Sequence, residues 1–265
     1  MPAIVASVSG VRRLLVLWDI DFTLIGASGV GLRLYDAVFR DMFGRELPGY
    51  APMAGRTDRA IIIDTLARAA IPEPRQQVDE FIARLAAMAP TGRELAAGRS
   101  QALPGAAAAL SALARYAPRE ANGHEPSLVV VQSVLTGNVR QIAEVKLSAA
   151  GLDSHLDLGI GAYGESHEVR AELVHLARAN AARQYGADFA GEQTVLVGDT
   201  ELDVAAALAT EARVVGVATG GTTADELQAA GAHAVLPDLA DTAATLAAVL
   251  GQSLPAADAG LPDQR

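Results

Sequence analysis

Short apolar runs alternate with longer amphipathic segments along most of the chain. Leu14–Trp18 is an unbroken apolar run of strand length, typical of a buried strand in a parallel sheet. The same pattern predicts strands at Ser127–Leu135, Leu156–Ile160, Thr194–Val197, Val214–Ala218 and His233–Leu236. Helical periodicity between them predicts helices at Val139–Ala150, Glu168–Tyr185, Leu202–Thr210, Ala224–Ala230 and Thr242–Leu250. This alternation predicts an α/β fold, a Rossmann-like parallel sheet with helices on both faces.

The segment that follows the first strand differs, because nothing between residues 27 and 100 has a strand pattern. Helices are predicted there at Leu32–Phe43, Asp58–Ala69, Arg75–Ala89 and Gly92–Ala97, before a helix from Pro104 to Ala114. A crossover between parallel strands needs only about a dozen residues, so we expect a separate all-helical cap domain. The core is predicted to consist of residues 1–26 and 101–251, and the cap of residues 27–100. Residues 252–265 are predicted to be a disordered tail, Met1–Arg13 a frayed leader, and Pro118–Pro126 a polar loop.

Composition narrows the class of protein. The 265 residues are 51% hydrophobic, enough for a full core, and contain no cysteine, which excludes a disulfide framework and a thiolate nucleophile. A formal net charge of −10 argues against a nucleic-acid partner. No basic patch precedes the first apolar run and no run is long enough to span a membrane, so we expect a soluble, cytoplasmic protein without a membrane partner. The oligomeric state is left open.

Polar residues follow the predicted strands where each one ends. Asp19 and Asp21 come after the first strand, Thr136 and Gly137 after the second, and Asp199 after the fourth, with Asp203 one helical turn later. An Asx-turn that merely ends a strand is the simpler reading of the first pair. Four carboxylates on one edge of a sheet, however, need a compensating cation, and Mg²⁺ suits such oxygen ligands. The amides after Thr136 can bind an anion at a helix N-terminus, so the set predicts phosphoryl transfer.

These motifs resemble those of the haloacid dehalogenase-like hydrolases, in the phosphatase branch. The segments that carry the resemblance are Asp19-Ile20-Asp21-Phe22-Thr23, Thr136 and Gly198-Asp199-Thr200-Glu201-Leu202-Asp203. The helical insertion is similar to that family's cap of the first type, as in phosphoglycolate phosphatase-like members, and the likeness extends from about residue 14 to 250. One departure is Phe22, where the family most often has glycine.

The resemblance implies a role for each residue. Asp19 would attack phosphorus and form an aspartyl-phosphate, and Asp21 would act as the acid and then the base. Thr136 and Gly137 would hold phosphate oxygens. The implied ligands of Mg²⁺ are Asp19, Asp21 through its backbone carbonyl, Asp199, and Asp203 directly or through water. The expected activity is Mg²⁺-dependent hydrolysis of a small phosphorylated metabolite.

A basic residue should tie the phosphate to the nucleophile, and two candidates exist. Lys146, the only lysine of the chain, lies inside a predicted helix one strand too early, so we expect it to be solvated. Arg170 lies in the first turn of the helix after the third strand, which directs it toward Asp19, and its guanidinium can bind phosphate through two donors. We therefore predict that Arg170 binds the phosphate.

Several alternatives remain open. A sugar phosphomutase of the same superfamily shares the first motif, and a non-catalytic phosphate-binding module is possible. Asp21 argues against a dehalogenase, and the absence of a cap lysine argues against a phosphonate hydrolase. Gly159–Gly164 formally matches a dinucleotide-binding motif, but no acid follows about twenty residues later. In the cap, Gly55–Asp58 either begins a helix or faces the substrate.

Overall fold

The computed structural model describes residues 12–116 and 128–251, and within them the chain alternates between strands and helices. The strands are β1 (Arg12–Trp18), β2 (Leu128–Thr136), β3 (Ala162–Tyr163), β4 (Thr194–Gly198), β5 (Arg213–Val217) and β6 (Ala234–Leu236). The helices are α1 (Val30–Phe43), α2 (Asp58–Arg68), α3 (Pro74–Ala87), α4 (Ala89–Ala96), α5 (Ala106–Ala114), α6 (Arg140–Ala149), α7 (Arg170–Tyr185), α8 (Glu201–Ala209), α9 (Ala224–Ala229) and α10 (Thr242–Leu250). None of these helices is long and apolar enough to cross a membrane.

All six strands pair in parallel, in the order β3-β2-β1-β4-β5-β6. The apolar run of β1 is central and fully enclosed, and successive side chains enter opposite layers. Leu14, Val16 and Trp18 pack in the layer that contains α5 and α10, whereas Leu15 and Leu17 pack against α7 and α8. The sheet therefore has helices on both faces, and the predicted fold class is confirmed.

Helices α1 to α4 have an apolar cluster of their own. Phe39, Ile62 and Phe81 are at its centre, and α6 of the sheet region contributes Ile142 and Val145 to the same cluster. The four helices thus pack on each other and on one helix of the α/β region. The division of the chain into a core and a movable cap stays a prediction.

The third strand was predicted in the wrong place. Residues Leu156–Ile160 form turns rather than a strand, and the ladder to β2 is made by Ala162 and Tyr163. The side chain of Asp157 accepts a hydrogen bond from the amide of Gly159, which closes an Asx-turn inside the apolar run. Leu156 and Ile160 are buried all the same, so burial alone did not distinguish a strand from a packed turn.

Strand β1 extends into the predicted leader. Arg12 and Arg13 belong to β1 and pair with Leu128 and Val129, so the strand begins two residues earlier than the apolar run suggests. The rest of the predicted leader, the polar loop 118–126 and the predicted tail 252–265 lie outside the described residues.

Candidate active site

The carboxyl ends of β1 and β4 bring three aspartates together. Asp19 follows β1 and is held by its backbone amide, which donates to the carbonyl of Val197 at 2.8 Å. Asp199 follows β4, and Asp203 lies in the first turn of α8. All three are buried, and each offers a carboxylate oxygen within 4.8 Å of the others. The described chain therefore places three of the four predicted metal-binding carboxylates in one group.

The local backbone explains how two of these carboxylates approach so closely. Thr200 caps α8, and the Oδ2 atom of Asp203 accepts from the Thr200 amide at 3.1 Å and from its hydroxyl at 2.6 Å, which completes a capping box. A Cβ at Gly198 would overlap the Asp203 carboxylate, and one at Gly220 would overlap that of Asp199. Glycine is thus required at two positions that border the carboxylates.

Arg170 is the cation of this group. Its Nη2 atom donates to Asp19 Oδ1 at 2.8 Å and forms an ion pair with Asp203 Oδ1 at 2.6 Å, and the residue is 7% exposed. Its Nε atom is buried and has no partner among the described residues. An unpaired buried N–H is costly, so this atom is a donor available for an anion. The structure thus places Arg170 against Asp19, as the sequence predicted.

The charges of the group do not balance. Burial raises the pKa of Asp19 to about 7, which Arg170 only partly opposes, and burial together with Asp19 and Asp203 raises the pKa of Asp199 to about 8. One guanidinium therefore faces three carboxylates, and Asp19 and Asp199 hold their protons more tightly than a free aspartate does. Three buried carboxylates with hard oxygen atoms form a donor set that fits a divalent cation such as Mg²⁺.

Asp21 lies apart from this group and has its own cation. Lys146 Nζ donates to Asp21 Oδ1 at 2.9 Å and to Oδ2 at 2.7 Å, and Asn138 Nδ2 donates to Oδ2 at 2.8 Å. Burial opposes ionisation of Asp21. The charge and hydrogen bonds of Lys146 and the hydrogen bond from Asn138 outweigh burial, so the pKa of Asp21 is lowered. The carboxylate of Asp21 is therefore placed away from the three others, and a metal contact could come only through its backbone carbonyl, as the resemblance implies.

The expectation that Lys146 is solvated is wrong. Lys146 is 5% exposed, and α6 directs it to the edge of the sheet rather than to solvent. Helical spacing alone could not show this, because α6 is covered both by the sheet and by α4. The one available sequence signal was that this residue is the only lysine of the chain.

The predicted phosphate loop lies between Arg170 and the helical insertion. Thr136 is buried, and its hydroxyl oxygen accepts from Asn138 Nδ2 at 2.8 Å. The carbonyl of Gly137 accepts from the amide of Asp58 at 2.7 Å, and a Cβ at Gly137 would overlap the carbonyl of Arg56 while lying 3.6 Å from Arg170 Nη1. Asn138, which sequence reasoning treated only as a backbone amide, connects Thr136 to Asp21 by its side chain.

The segment Gly55–Asp58 begins a helix, and its aspartate contacts the α/β region. Thr57 caps α2, since its hydroxyl accepts from the amide of Ala60. The Asp58 carboxylate accepts from the Tyr35 hydroxyl at 2.6 Å and from the Val139 amide at 2.7 Å, at the N-terminus of α6. The segment therefore caps a helix and joins the insertion to α6. The carbonyl of Gly55 also accepts from Arg170 Nη1 at 3.3 Å, so the substrate-facing reading stays a prediction.

The dinucleotide interpretation of Gly159–Gly164 has no support in the fold. The motif contains the two residues of β3 instead of following a strand, and it opens no helix, because α7 begins six residues later at Arg170. A Cβ at Gly161 would crowd Val134, and one at Gly164 would overlap Gly137. These glycines serve close backbone packing.

The chain resembles known proteins both in part of its sequence and in its fold. The family model Hydrolase_like, described as "HAD-hyrolase-like", matches residues 172–242. The sequence has no match among curated proteins. The fold is similar to that of a hydrolase from Pseudomonas syringae, with 20% identity, a TM-score of 0.57, and 89% of this chain and 98% of that chain covered.

Two further structures show the same fold. A predicted phosphatase from Clostridium acetobutylicum has 16% identity and a TM-score of 0.57 over 84% of this chain and 93% of that one. A protein from Bacteroides vulgatus that is described as a β-phosphoglucomutase has 13% identity and a TM-score of 0.57, with 92% of this chain and 93% of that one covered. The family model confirms the resemblance to haloacid dehalogenase-like hydrolases and supports a hydrolytic enzyme, and the solved structures show that the fold is shared.

Proposed function

We propose that this chain is a Mg²⁺-dependent phosphatase that hydrolyses a small phosphorylated metabolite through an aspartyl-phosphate on Asp19. The observation that carries the proposal is the position of Asp19, whose carboxylate is held by Arg170 and lies beside Asp199 and Asp203 at the edge of a parallel sheet. Ligands of such sheets bind beyond the carboxyl ends of the strands. Asp21, with a separate cation, is free of that group and can exchange a proton.

Asp19 and Asp21 have different roles in the proposed reaction. Arg170 holds Asp19 Oδ1, so the other carboxylate oxygen is the one that attacks phosphorus. As the Asp19–phosphorus bond forms, the bond from phosphorus to the leaving oxygen breaks, and Asp21 in its protonated form supplies the proton which that oxygen needs. In the second step Asp21 takes a proton from the attacking water, and the bond between phosphorus and Asp19 breaks.

Other residues hold the phosphoryl group. The amide of Gly137, the Thr136 hydroxyl and the unpaired Nε–H of Arg170 are the donors for its oxygens. Asp19, Asp199 and Asp203, with the carbonyl of Asp21, would hold Mg²⁺. Bound there, the cation would supply charge that balances the carboxylates and the phosphoryl oxygens.

The experiment is steady-state hydrolysis of an aryl phosphate by the purified protein. We expect turnover with Mg²⁺, loss of turnover on chelation, and no turnover by Asp19→Asn, which keeps the shape of the side chain and removes its charge. Asp225→Asn is the matched control, because it removes one exposed carboxylate outside the site. An active Asp19→Asn variant, or turnover that resists chelation, would contradict the proposal; a protein that binds phosphate without turnover would be the non-catalytic module.

A sugar phosphomutase is the second candidate, because the fold is shared with the Bacteroides vulgatus protein described above. A mutase returns its phosphoryl group to a sugar phosphate rather than to water. Isomerisation of a hexose 1-phosphate that requires a bisphosphorylated activator and exceeds release of inorganic phosphate would favour it.

A further inference from the structure

Lys146 makes the fullest set of polar contacts that its ammonium group allows. An ammonium has three N–H donors, and here they go to Asp21 Oδ1 at 2.9 Å, Asp21 Oδ2 at 2.7 Å and Asn138 Oδ1 at 2.7 Å. The side chain is 6% exposed. Burying a lysine is expensive unless it is paired and fully hydrogen-bonded, as this one is.

The same contacts fix Asp21 from two sides. Asn138 Nδ2 donates to Asp21 Oδ2 and to Thr136 Oγ1, both at 2.8 Å. The Asp21 carboxylate therefore accepts three hydrogen bonds from two neighbours, although a third of its side chain is exposed. These bonds hold the carboxylate in one orientation next to the phosphate loop.

The helix that carries Lys146 is itself immobilised. On α6, Ala143 and Leu147 pack in the layer that covers the sheet, while Ile142 and Val145 pack against the cluster formed by α1 to α4. A cation on a helix that is buried on two sides is a firmer support than one on a loop. Arg170 is committed to Asp19 and Asp203, so the two cations divide the carboxylates between them.

We propose that Lys146 is a positioning residue which, together with Asn138, holds the Asp21 carboxylate in the orientation required for proton transfer to the leaving group. The inference rests on the proposed phosphatase function. Lys146 acts through Asp21 and does not hold the phosphate, which is the task of Arg170, Thr136 and Gly137. Without Lys146, the Asp21 side chain is free to turn toward solvent or toward Arg170.

This role has a signature that a purely structural role lacks. Proton donation matters for a poor leaving group such as an alkoxide, and hardly at all for 2,4-dinitrophenolate. Misplacing a catalytic group by about 1 Å reduces a rate on the order of 100-fold. We expect Lys146→Met to lower kcat for an alkyl phosphate about 100-fold and kcat for 2,4-dinitrophenyl phosphate less than about threefold, because general acid catalysis is lost only for the former.

Two further comparisons show whether Lys146 acts through Asp21. The double variant Asp21→Asn, Lys146→Met should lose no more activity on the alkyl ester than Asp21→Asn alone, since residues that act as a unit are not additive. The inhibition constant of inorganic phosphate should stay close to that of the unmodified protein. Arg178→Met is the control for loss of a half-buried, hydrogen-bonded cation. The Arg178 guanidinium bonds only Thr194, Thr210 and Gly191 among the described residues, so its loss should leave the ratio of the two ester rates unchanged.

Equal losses on both esters, or additive losses in the double variant, would overturn the proposal. If the unmodified protein hydrolyses neither ester, the proposed function fails, and the contact is then tested by NMR. Because the chain has one lysine, ¹⁵N-lysine labelling gives a single side-chain ammonium signal. Slow exchange of that signal, lost in Asp21→Asn, supports the pairing; a signal unchanged by Asp21→Asn overturns it. The NMR measurement uses Asp21→Asn, so it tests the pairing of Lys146 with Asp21 even if Lys146→Met does not fold.

Discussion

Replacing Asp19 by asparagine should stabilise the protein in the absence of metal. The Asp19 carboxylate is buried beside Asp199 and Asp203, and Arg170 is the one cation that bonds to this group among the described residues. Asparagine keeps an oxygen that can accept the Arg170 hydrogen bond but removes one of three repelling charges. The unfolded chain has no such repulsion, so the change relieves a strain that exists only in the folded protein.

The pKa of Asp19 gives the size of the effect. Burial raises this pKa from 3.8 to about 7, so the folded protein holds the proton more tightly than the unfolded chain does. The associated stability is fully present below pH 3.8 and is lost as the pH rises through about 7. A tenfold change in proton affinity corresponds to about 1.4 kcal/mol. Because Asp199 and Asp19 titrate together, not all of the shift belongs to Asp19. We therefore expect Asp19→Asn to raise the free energy of unfolding by about 2–4 kcal/mol at a pH above the folded pKa.

The assay is thermal unfolding at pH 8.5 and pH 5 with chelator present. A gain of this size raises Tm by about 5–15 °C for a chain of this length. The difference between Asp19→Asn and the unmodified protein should shrink at pH 5, where Asp19 is already protonated. Mg²⁺ should raise Tm of the unmodified protein, more at pH 8.5 than at pH 5 because metal ligands must lose their protons, and should raise that of Asp19→Asn far less.

Asp225→Asn again supplies the control, since it also reduces the net charge of −10 by one but lies exposed in the first turn of α9. It should change Tm by no more than a degree or two in either direction at both pH values. A fall in Tm for Asp19→Asn at pH 8.5 without metal, or equal Mg²⁺ stabilisation of both proteins, would refute the reasoning. Asp19 would then be a hydrogen-bonding residue in a site already balanced by Arg170.

Three other outcomes can be measured. Arg170→Met should lower the free energy of unfolding in urea by about 3–5 kcal/mol, because it leaves buried carboxylates uncompensated; a free energy close to that of the unmodified protein would contradict this expectation. Arg170→Lys should not restore turnover, since lysine lacks the forked donors of arginine. Phe22 has a φ of 62°, so Phe22→Gly should raise the free energy of unfolding by about 1 kcal/mol, which a lower urea midpoint would contradict. Phosphate or an analogue should change hydrogen exchange near Gly29 and Gly98, which have φ of 65° and 70° and lie where the predicted cap joins the core. Asp58→Ala should weaken this response, because it removes the carboxylate at the N-terminus of α6. Equal exchange with and without ligand would exclude cap movement.

Phe22 shows how a departure from a family pattern acquires a physical meaning. The resemblance identified this position as one where glycine is usual, and the structure shows why, because the residue adopts a left-handed conformation that glycine accepts readily. Its side chain is 43% exposed. The turn keeps its shape, since the Phe22 carbonyl accepts from the Thr219 hydroxyl. The departure at Phe22 is therefore expected to strain the backbone, and the free energy of unfolding of Phe22→Gly measures that strain.

The sequence by itself determined the elements and their order. A short apolar run that ends in turn-forming residues favours a buried strand, and alternation with helical periodicity leaves few arrangements other than a parallel sheet. Since parallel strands end at one edge, the approach of Asp19, Asp199 and Asp203 followed from the same pattern. The meeting of Arg170 with Asp19 followed as well, even though the third strand had been placed in the wrong segment.

Only the tertiary structure decided the partners of Lys146 and of Asp58. Lys146 and Asp21 are 125 positions apart, and Asp58 meets Val139 across 81. Hydrophobic periodicity reports which face of a helix is buried, but α6 is buried on two faces, so the pattern could not say where Lys146 points. Such contacts depend on how helices pack on the sheet and on one another. The pairing of Lys146 with Asp21 is therefore a property of the assembled fold rather than of any local pattern.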